Sequence, residues 1–234
     1  MIFASFGDSF IFGSELKDCD PNHLRDSHFT WPRLICKKLK VDYMCLASPG
    51  IGNQQIADDV ANIIATRGNS VIYSIHWTWI DRFDYIGDFP GRRYGNDLWA
   101  TINPGNLGKK SQWYYKNIHS ELLDKIKSLG YVYQTISLLK EHNCKFHMTY
   151  MDNLLLDQTY HTTNSTKLMQ TKISKYLENY NGYNFLDWAK LHQYPIGENM
   201  HPLEEAHNVA AEYWLPKVRT LLNSSATEES NAFK

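Results

Sequence analysis

Short apolar runs alternate along this chain with longer amphipathic ones, and that alternation limits the fold more than any other feature. Runs of this kind occur at residues 1–6 (MIFASF), 41–46 (VDYMCL), 71–75 (VIYSI) and 145–151 (KFHMTYM), with a shorter fifth, YNFL, at 183–186. Between them lie stretches with helical spacing. Trp31–Leu39 carries Pro32 near its first position, where a missing N–H costs nothing. Asn53–Arg67 places Ile56, Val60, Ile63 and Ile64 on one face and is closed by Gly68. Tyr114–Asn143, expected to bend or break at Gly130, is followed by Thr166–Tyr180 and Leu203–Leu222. Buried strands alternating with helices predict an α/β protein in three layers, with a mostly parallel sheet of about five strands covered on both faces. In such sheets ligands bind at the carboxyl ends of the strands.

With 234 residues and 43% hydrophobic content, the chain can bury one large domain, expected over 1–222, with a polar tail at 223–234. Its 24 basic and 25 acidic residues nearly cancel, which argues against nucleic acid or an anionic membrane as an obligatory partner. The N-terminal run meets Asp8 early and has no positive leader, so a cytoplasmic location is the default expectation. The cysteines at 19, 36, 45 and 144 have neither CxxC nor disulfide-framework spacing, and no histidine pair has metal-ligand spacing. Neither metal nor cofactor is expected. The turn Ser48-Pro49-Gly50-Ile51-Gly52-Asn53 lacks the third glycine of a dinucleotide fingerprint and the Lys-Ser/Thr pair of a P-loop. Oligomeric state is not legible.

The strand ends collect a particular set of residues. The first run ends in Gly7-Asp8-Ser9-Phe10, the second in the Gly50 turn and the third in His76-Trp77-Thr78-Trp79, while Glu198-Asn199-Met200-His201-Pro202 precedes the last helical stretch. Serine becomes a nucleophile at neutral pH when an imidazole takes its proton, and an acid that fixes the imidazole's tautomer completes the relay. A glycine turn lets a backbone N–H approach an oxyanion closely.

These blocks resemble the SGNH (GDSL-type) hydrolase superfamily, in order and spacing, from residue 7 to about 220. The resemblance implies a flavodoxin-like α/β/α fold and ester hydrolysis with Ser9 as nucleophile and His201 as base. It implies Glu198 as the acid, where the family usually has Asp, and Ser9 and Gly50 N–H groups as oxyanion donors. The family's Gly-x-Asn-Asp block is replaced here by His76-Trp77-Thr78-Trp79, which puts Thr78 in the donor position, with Asn53 as a possible compensating donor. His207 is expected to be structural.

Residues 77–115 hold four of the seven tryptophans and interrupt any regular period with Gly, Pro and Asn. Long irregular segments of this kind are often functional. The segment is expected to rim the Ser9 pocket, with Asp8, Trp77 and Trp79 touching substrate, or else to form its own small aromatic core or an oligomer contact. Under the first alternative, Trp99→Ala raises KM. The expected substrate is a small-molecule or glycan ester, foremost an O-acyl or O-acetyl ester on a carbohydrate, next a small acyl or lipid ester. The rival is a catalytically impaired module that binds carbohydrate or serves a structural role.

Overall fold

The first strand, β1 (Ile2–Phe6), is almost wholly buried, as a central parallel strand covered on both faces must be. The computed structural model describes residues 1–20, 22–87, 99–105 and 108–224. After β1 the chain forms α1 (Ser9–Phe12), α2 (Trp31–Leu39), β2 (Asp42–Cys45), α3 (Asn53–Arg67) and β3 (Val71–Trp77). The 77–115 segment contributes β4 (Phe83–Ile86), β5 (Trp99–Ile102) and most of α4 (Lys109–Asn117). The chain continues through α5 (Glu121–Glu141), β6 (Lys145–Tyr150), α6 (Asn164–Ile173), β7 (Leu177–Glu178), α7 (Phe185–Leu191) and α8 (Glu204–Asn223).

The main sheet has the order β2-β1-β3-β6-β7, every pairing parallel, with Ile2 opposite Asp42 on one side and Val71 on the other. Successive strand side chains point to opposite faces, and this divides the core in two. Ala4, Phe6, Tyr73, Ile75 and Trp77 face α3 and α5, meeting Ile56, Val60, Leu129, Val132 and Ile136. Phe3 and Ile72 face the other way, onto Trp31 and Ile35 of α2 and Ala210, Trp214 and Val218 of α8. The expected three layers and five parallel strands are present.

Three local expectations are corrected. YNFL is not a strand: Asn184 caps α7 by accepting the Asp187 N–H at 2.8 Å, so Phe185 and Leu186 are helical. The fifth strand is β7, two residues lying inside the stretch expected to be one helix over 166–180; α6 ends at Ile173. The long pattern over 114–143 breaks at residues 118–120, where Ser120 starts α5, and Gly130 stays in mid-helix. Capping chemistry outweighs a lone glycine, which costs only about 1 kcal/mol in a helix.

Candidate active site

Ser9 opens α1 directly beyond β1, at the carboxyl edge of the sheet. Asp8 caps that short helix, its carboxylate accepting the Phe10 N–H at 3.0 Å. The first N–H groups of a helix have no partner within it, which leaves the Ser9 N–H without an intrahelical acceptor. At the far end of the sequence, the turn before α8 returns to the same edge. His201 Nε2 lies 2.8 Å from Ser9 Oγ, and the ring leans on Phe10 at 4.9 Å. Residues 192 positions apart are thus brought into hydrogen-bond contact.

The acid beside His201 is Glu15, not Glu198. Glu15 Oε2 is 2.6 Å from His201 Nδ1, and the carboxylate also accepts the Asn199 N–H at 2.9 and 3.0 Å and its Nδ2 at 3.2 Å. Glu15 adopts φ 67°, a left-handed conformation that costs a non-glycine residue about 1 kcal/mol or more. The carboxylate presses so close to Gly197 that a Cβ there would sit 2.7 Å from it. Glu198 fails for a geometric reason. The 197–201 turn, closed by Gly197 N–H to His201 C=O at 2.8 Å, aims the Asn199 and His201 N–H groups inward at Glu15 and leaves Glu198 exposed. Burial by itself would raise the Glu15 pKa, but the Asn199 N–H and the bonds to His201 outweigh it and hold the carboxyl below its ordinary range. Glu15 is therefore ionised at neutral pH. Sequence reasoning passed over it because no motif spacing marks it; the available signal was an acid two residues past the Gly13 turn that closes α1, on the same sheet edge as Ser9.

Gly50 has φ 75° and lines the same cleft as Ser9, Glu15 and His201, a cavity of about 690 Å³. Its remaining walls are Ser14, Asn22, His23, Ser48, Pro49 and Asn199. The other expected site residues lie elsewhere. Thr78 is wholly buried and donates its hydroxyl to Asp8 Oδ2 at 2.5 Å, so it has no proton for an oxyanion. Asn53 is likewise spent, donating to Thr78 C=O and Ser128 Oγ at 3.2 Å each and accepting the Thr78 N–H at 2.8 Å. Asp8 is fully buried and paired with Arg82 at 3.0 Å, out of reach of substrate. Burial raises its pKa, but Arg82 foremost, with the Thr78 and Phe10 hydrogen bonds, brings it below the usual value. Trp77 is buried in the α3/α5 core and Trp79 packs on the opposite core; neither lines the cleft.

No described residue of 77–115 lines the cleft either. Four of its described aromatics pack on one another, Phe83 stacking on Tyr85 at 6.3 Å and on Tyr114 at 4.7 Å, and Tyr114 meeting Tyr115 edge-on at 5.2 Å. Trp99 lines a separate cavity of about 280 Å³ with Ala57 of α3 and Tyr131 of α5. Tyr94 falls outside the described residues. His207, 1% exposed, accepts the Trp31 N–H at 3.1 Å and serves the packing of α2 on α8. Among the described residues no group of three or more His, Cys, Asp or Glu is placed to hold a metal, and no helix is long and apolar enough to cross a membrane.

No family model matches the sequence, and no curated protein matches it. Solved structures do. One is TesA, at 12% identity and a TM-score of 0.55, covering 94% of this chain and 99% of that one. Another is the psychrotrophic esterase EstA from Pseudoalteromonas sp., in a structure inhibited by monoethylphosphonate, at 10% identity and a TM-score of 0.53 over 95% and 99% of the two chains. The fold is that of the SGNH hydrolases. At such identities the likeness extends to the SGNH fold alone, and the chemistry rests on the side chains of this chain.

Proposed function

We propose that this SGNH-fold chain is a serine ester hydrolase in which Ser9, His201 and Glu15 form the catalytic relay. The observation that carries the reading is the unbroken pair of contacts, 2.8 Å from Ser9 Oγ to His201 Nε2 and 2.6 Å from His201 Nδ1 to Glu15. Both lie within the distance at which a proton passes along a hydrogen bond.

Ionised Glu15 holds Nδ1 protonated, leaving Nε2 free to take the Ser9 hydroxyl proton as Oγ attacks the ester carbonyl. The carbonyl oxygen becomes an oxyanion, received by the Ser9 and Gly50 N–H groups. The tetrahedral species collapses, the C–O bond to the alcohol breaks, and imidazolium gives that alcohol its proton. A water then repeats the sequence on the acyl-Ser9 ester. His201 takes the water's proton, the carboxylic acid leaves, and Ser9 recovers its hydrogen. Two backbone donors carry the oxyanion, because the side chains of Thr78 and Asn53 are committed elsewhere.

The serine, asparagine and histidine side chains around the cleft offer hydrogen bonds to an alcohol that carries several hydroxyls, which favours such an ester, with a small acyl group, over a long-chain lipid ester. An O-acetylated carbohydrate fits that description. EstA was inhibited by a monoethylphosphonate, and the same warhead tests this chain. A fluorophosphonate probe is expected to add one phosphonyl group to the wild-type protein and none to Ser9→Ala. Folded wild-type protein that stays unlabelled, and leaves p-nitrophenyl acetate intact, would instead favour a binding module.

A further inference from the structure

The two backbone donors just described come from segments 41 positions apart in sequence, and their separation has to be fixed by something other than the donors themselves. The Gly50 turn is poorly self-supporting: Ser48 N–H reaches back to Gly7 C=O at 3.0 Å, but the turn's own Ile51 N–H to Ser48 C=O bond is 3.5 Å long. The α3 helix that follows has no side-chain cap of its own at Gly52.

The 77–115 segment supplies both missing constraints. Arg82 Nη1 donates to Asp8 Oδ2 at 3.0 Å and to Ile51 C=O at 2.9 Å, so one guanidinium joins the cap of the Ser9 helix to the residue after Gly50. Asp84, two residues on, accepts the Gly52 N–H at 2.9 Å and the Gln55 N–H at 3.0 Å, capping α3 from another part of the chain. The Thr101 hydroxyl on β5 holds Asp84 Oδ1 at 2.7 Å. The fit at Gly52 is close, since a Cβ there would lie 2.5 Å from the Asp84 carboxylate.

We propose that Arg82 and Asp84 are positioning residues which set the gap between the Ser9 and Gly50 N–H groups, making the 77–115 segment an external brace for the oxyanion site. This rests on the ester-hydrolase reading. A brace of this kind acts on the transition state, because the donors bind the tetrahedral oxyanion more strongly than the planar carbonyl. Small misplacements of such groups cost up to about 10²-fold in rate.

The test compares wild type with Asp84→Asn and Arg82→Lys, using p-nitrophenyl acetate turnover and fluorophosphonate labelling across pH. Asp84→Asn keeps the shape but turns one accepting oxygen into a donor that faces an N–H. It is expected to lower kcat about 10- to 100-fold with KM within twofold. Labelling should slow in proportion, because the phosphonyl oxygen uses the same donors. The pH midpoint of kcat/KM should stay at its wild-type value, since the Ser9–His201–Glu15 contacts are untouched. Arg82→Lys, which keeps the charge but bridges less well, should retain more activity than Arg82→Gln. If Asp84→Asn does not fold, Thr101→Val removes only the hydroxyl that holds Asp84 and is expected to cost about threefold in kcat. Folded variants with wild-type kcat overturn the brace, as does a loss confined to KM or one accompanied by a moved pH midpoint. A wild-type protein that neither labels nor turns over overturns the hydrolase reading and this inference together.

Discussion

Two concavities of this molecule have similar size and different linings. The Ser9 cleft, about 690 Å³, is walled by serines, asparagines and histidines, and the Ser9–His201 contact within it joins the two ends of the chain. The second, about 590 Å³, is an apolar groove between the β4–β5 hairpin and α4, lined by Phe83, Tyr85, Ile102, Trp113, Tyr114 and Ile118. The groove holds four aromatic rings of the 77–115 segment, and the cleft holds the Ser9–His201–Glu15 contacts. Apolar lining provides surface for contact, but proton transfer needs donors and acceptors at fixed separation. The aromatic segment bears on the cleft through two charged residues, Arg82 and Asp84, and not through its rings.

The largest effect that would sharpen this contrast concerns the two glutamates near His201. Glu15→Gln keeps the shape of the side chain but lets Nδ1 lose its proton to the wrong tautomer, and kcat is expected to fall about 10³–10⁴-fold. Glu198→Gln, on the exposed outer side of the turn, should stay within twofold of wild type. Kinetics on p-nitrophenyl acetate decide between them, and the opposite ranking would return the acid role to Glu198.

That pair also marks how far the sequence could be read. Ser9, His201 and Gly50 stood out because block order and strand ends locate them independently of tertiary detail. β1, β3 and β6 were visible as apolar runs because strands buried on both faces carry few polar residues, and β2, a half-exposed edge strand, showed through Tyr43, Met44 and Cys45. Glu15 was invisible, since its place depends on a left-handed turn and on the closure of a loop 184 residues away. The two-residue β7 was hidden inside a helical pattern, being too short to show a period of its own. Thr78 and Asn53 were expected as oxyanion donors, but a string of letters does not reveal that Asp8 and a peptide group had already claimed their polar atoms.

A second contrast is in pH. The core on the cleft side of the sheet contains His207 and His147, each wholly buried and pushed down to about 3, by burial first and nearby positive groups second. Both stay neutral in the folded protein while the unfolded chain takes up a proton below about pH 6.5. Stability is therefore lost as pH falls from about 6.5 toward 3, by about 1.4 kcal/mol per pH unit for each histidine. His207→Gln can still accept the Trp31 N–H but cannot titrate. Urea unfolding at pH 6.5 and 5.0 should find its loss of stability smaller than that of wild type by about 2 kcal/mol. Equal losses in the two proteins would mean that His207 is protonated when folded.

The smallest expected effect lies in the groove, and it is the one best able to break the comparison. Trp113 is 59% exposed on α4, with its ring against the apolar lining and none of its atoms in the Ser9 cleft. Trp113→Ala removes a large aromatic from that groove but disturbs neither the Phe83–Tyr114 stack beneath it nor the Arg82 and Asp84 bonds. Kinetic constants on p-nitrophenyl acetate should therefore remain within twofold of wild type, and urea stability within about 0.5 kcal/mol, the usual range for a surface position. A fall of fivefold or more in kcat with stability unchanged would mean that the groove and the cleft work as one site. The division between aromatic packing and polar chemistry would then fail, because the hairpin would be transmitting the state of its apolar face through the same two residues that hold the Gly50 turn.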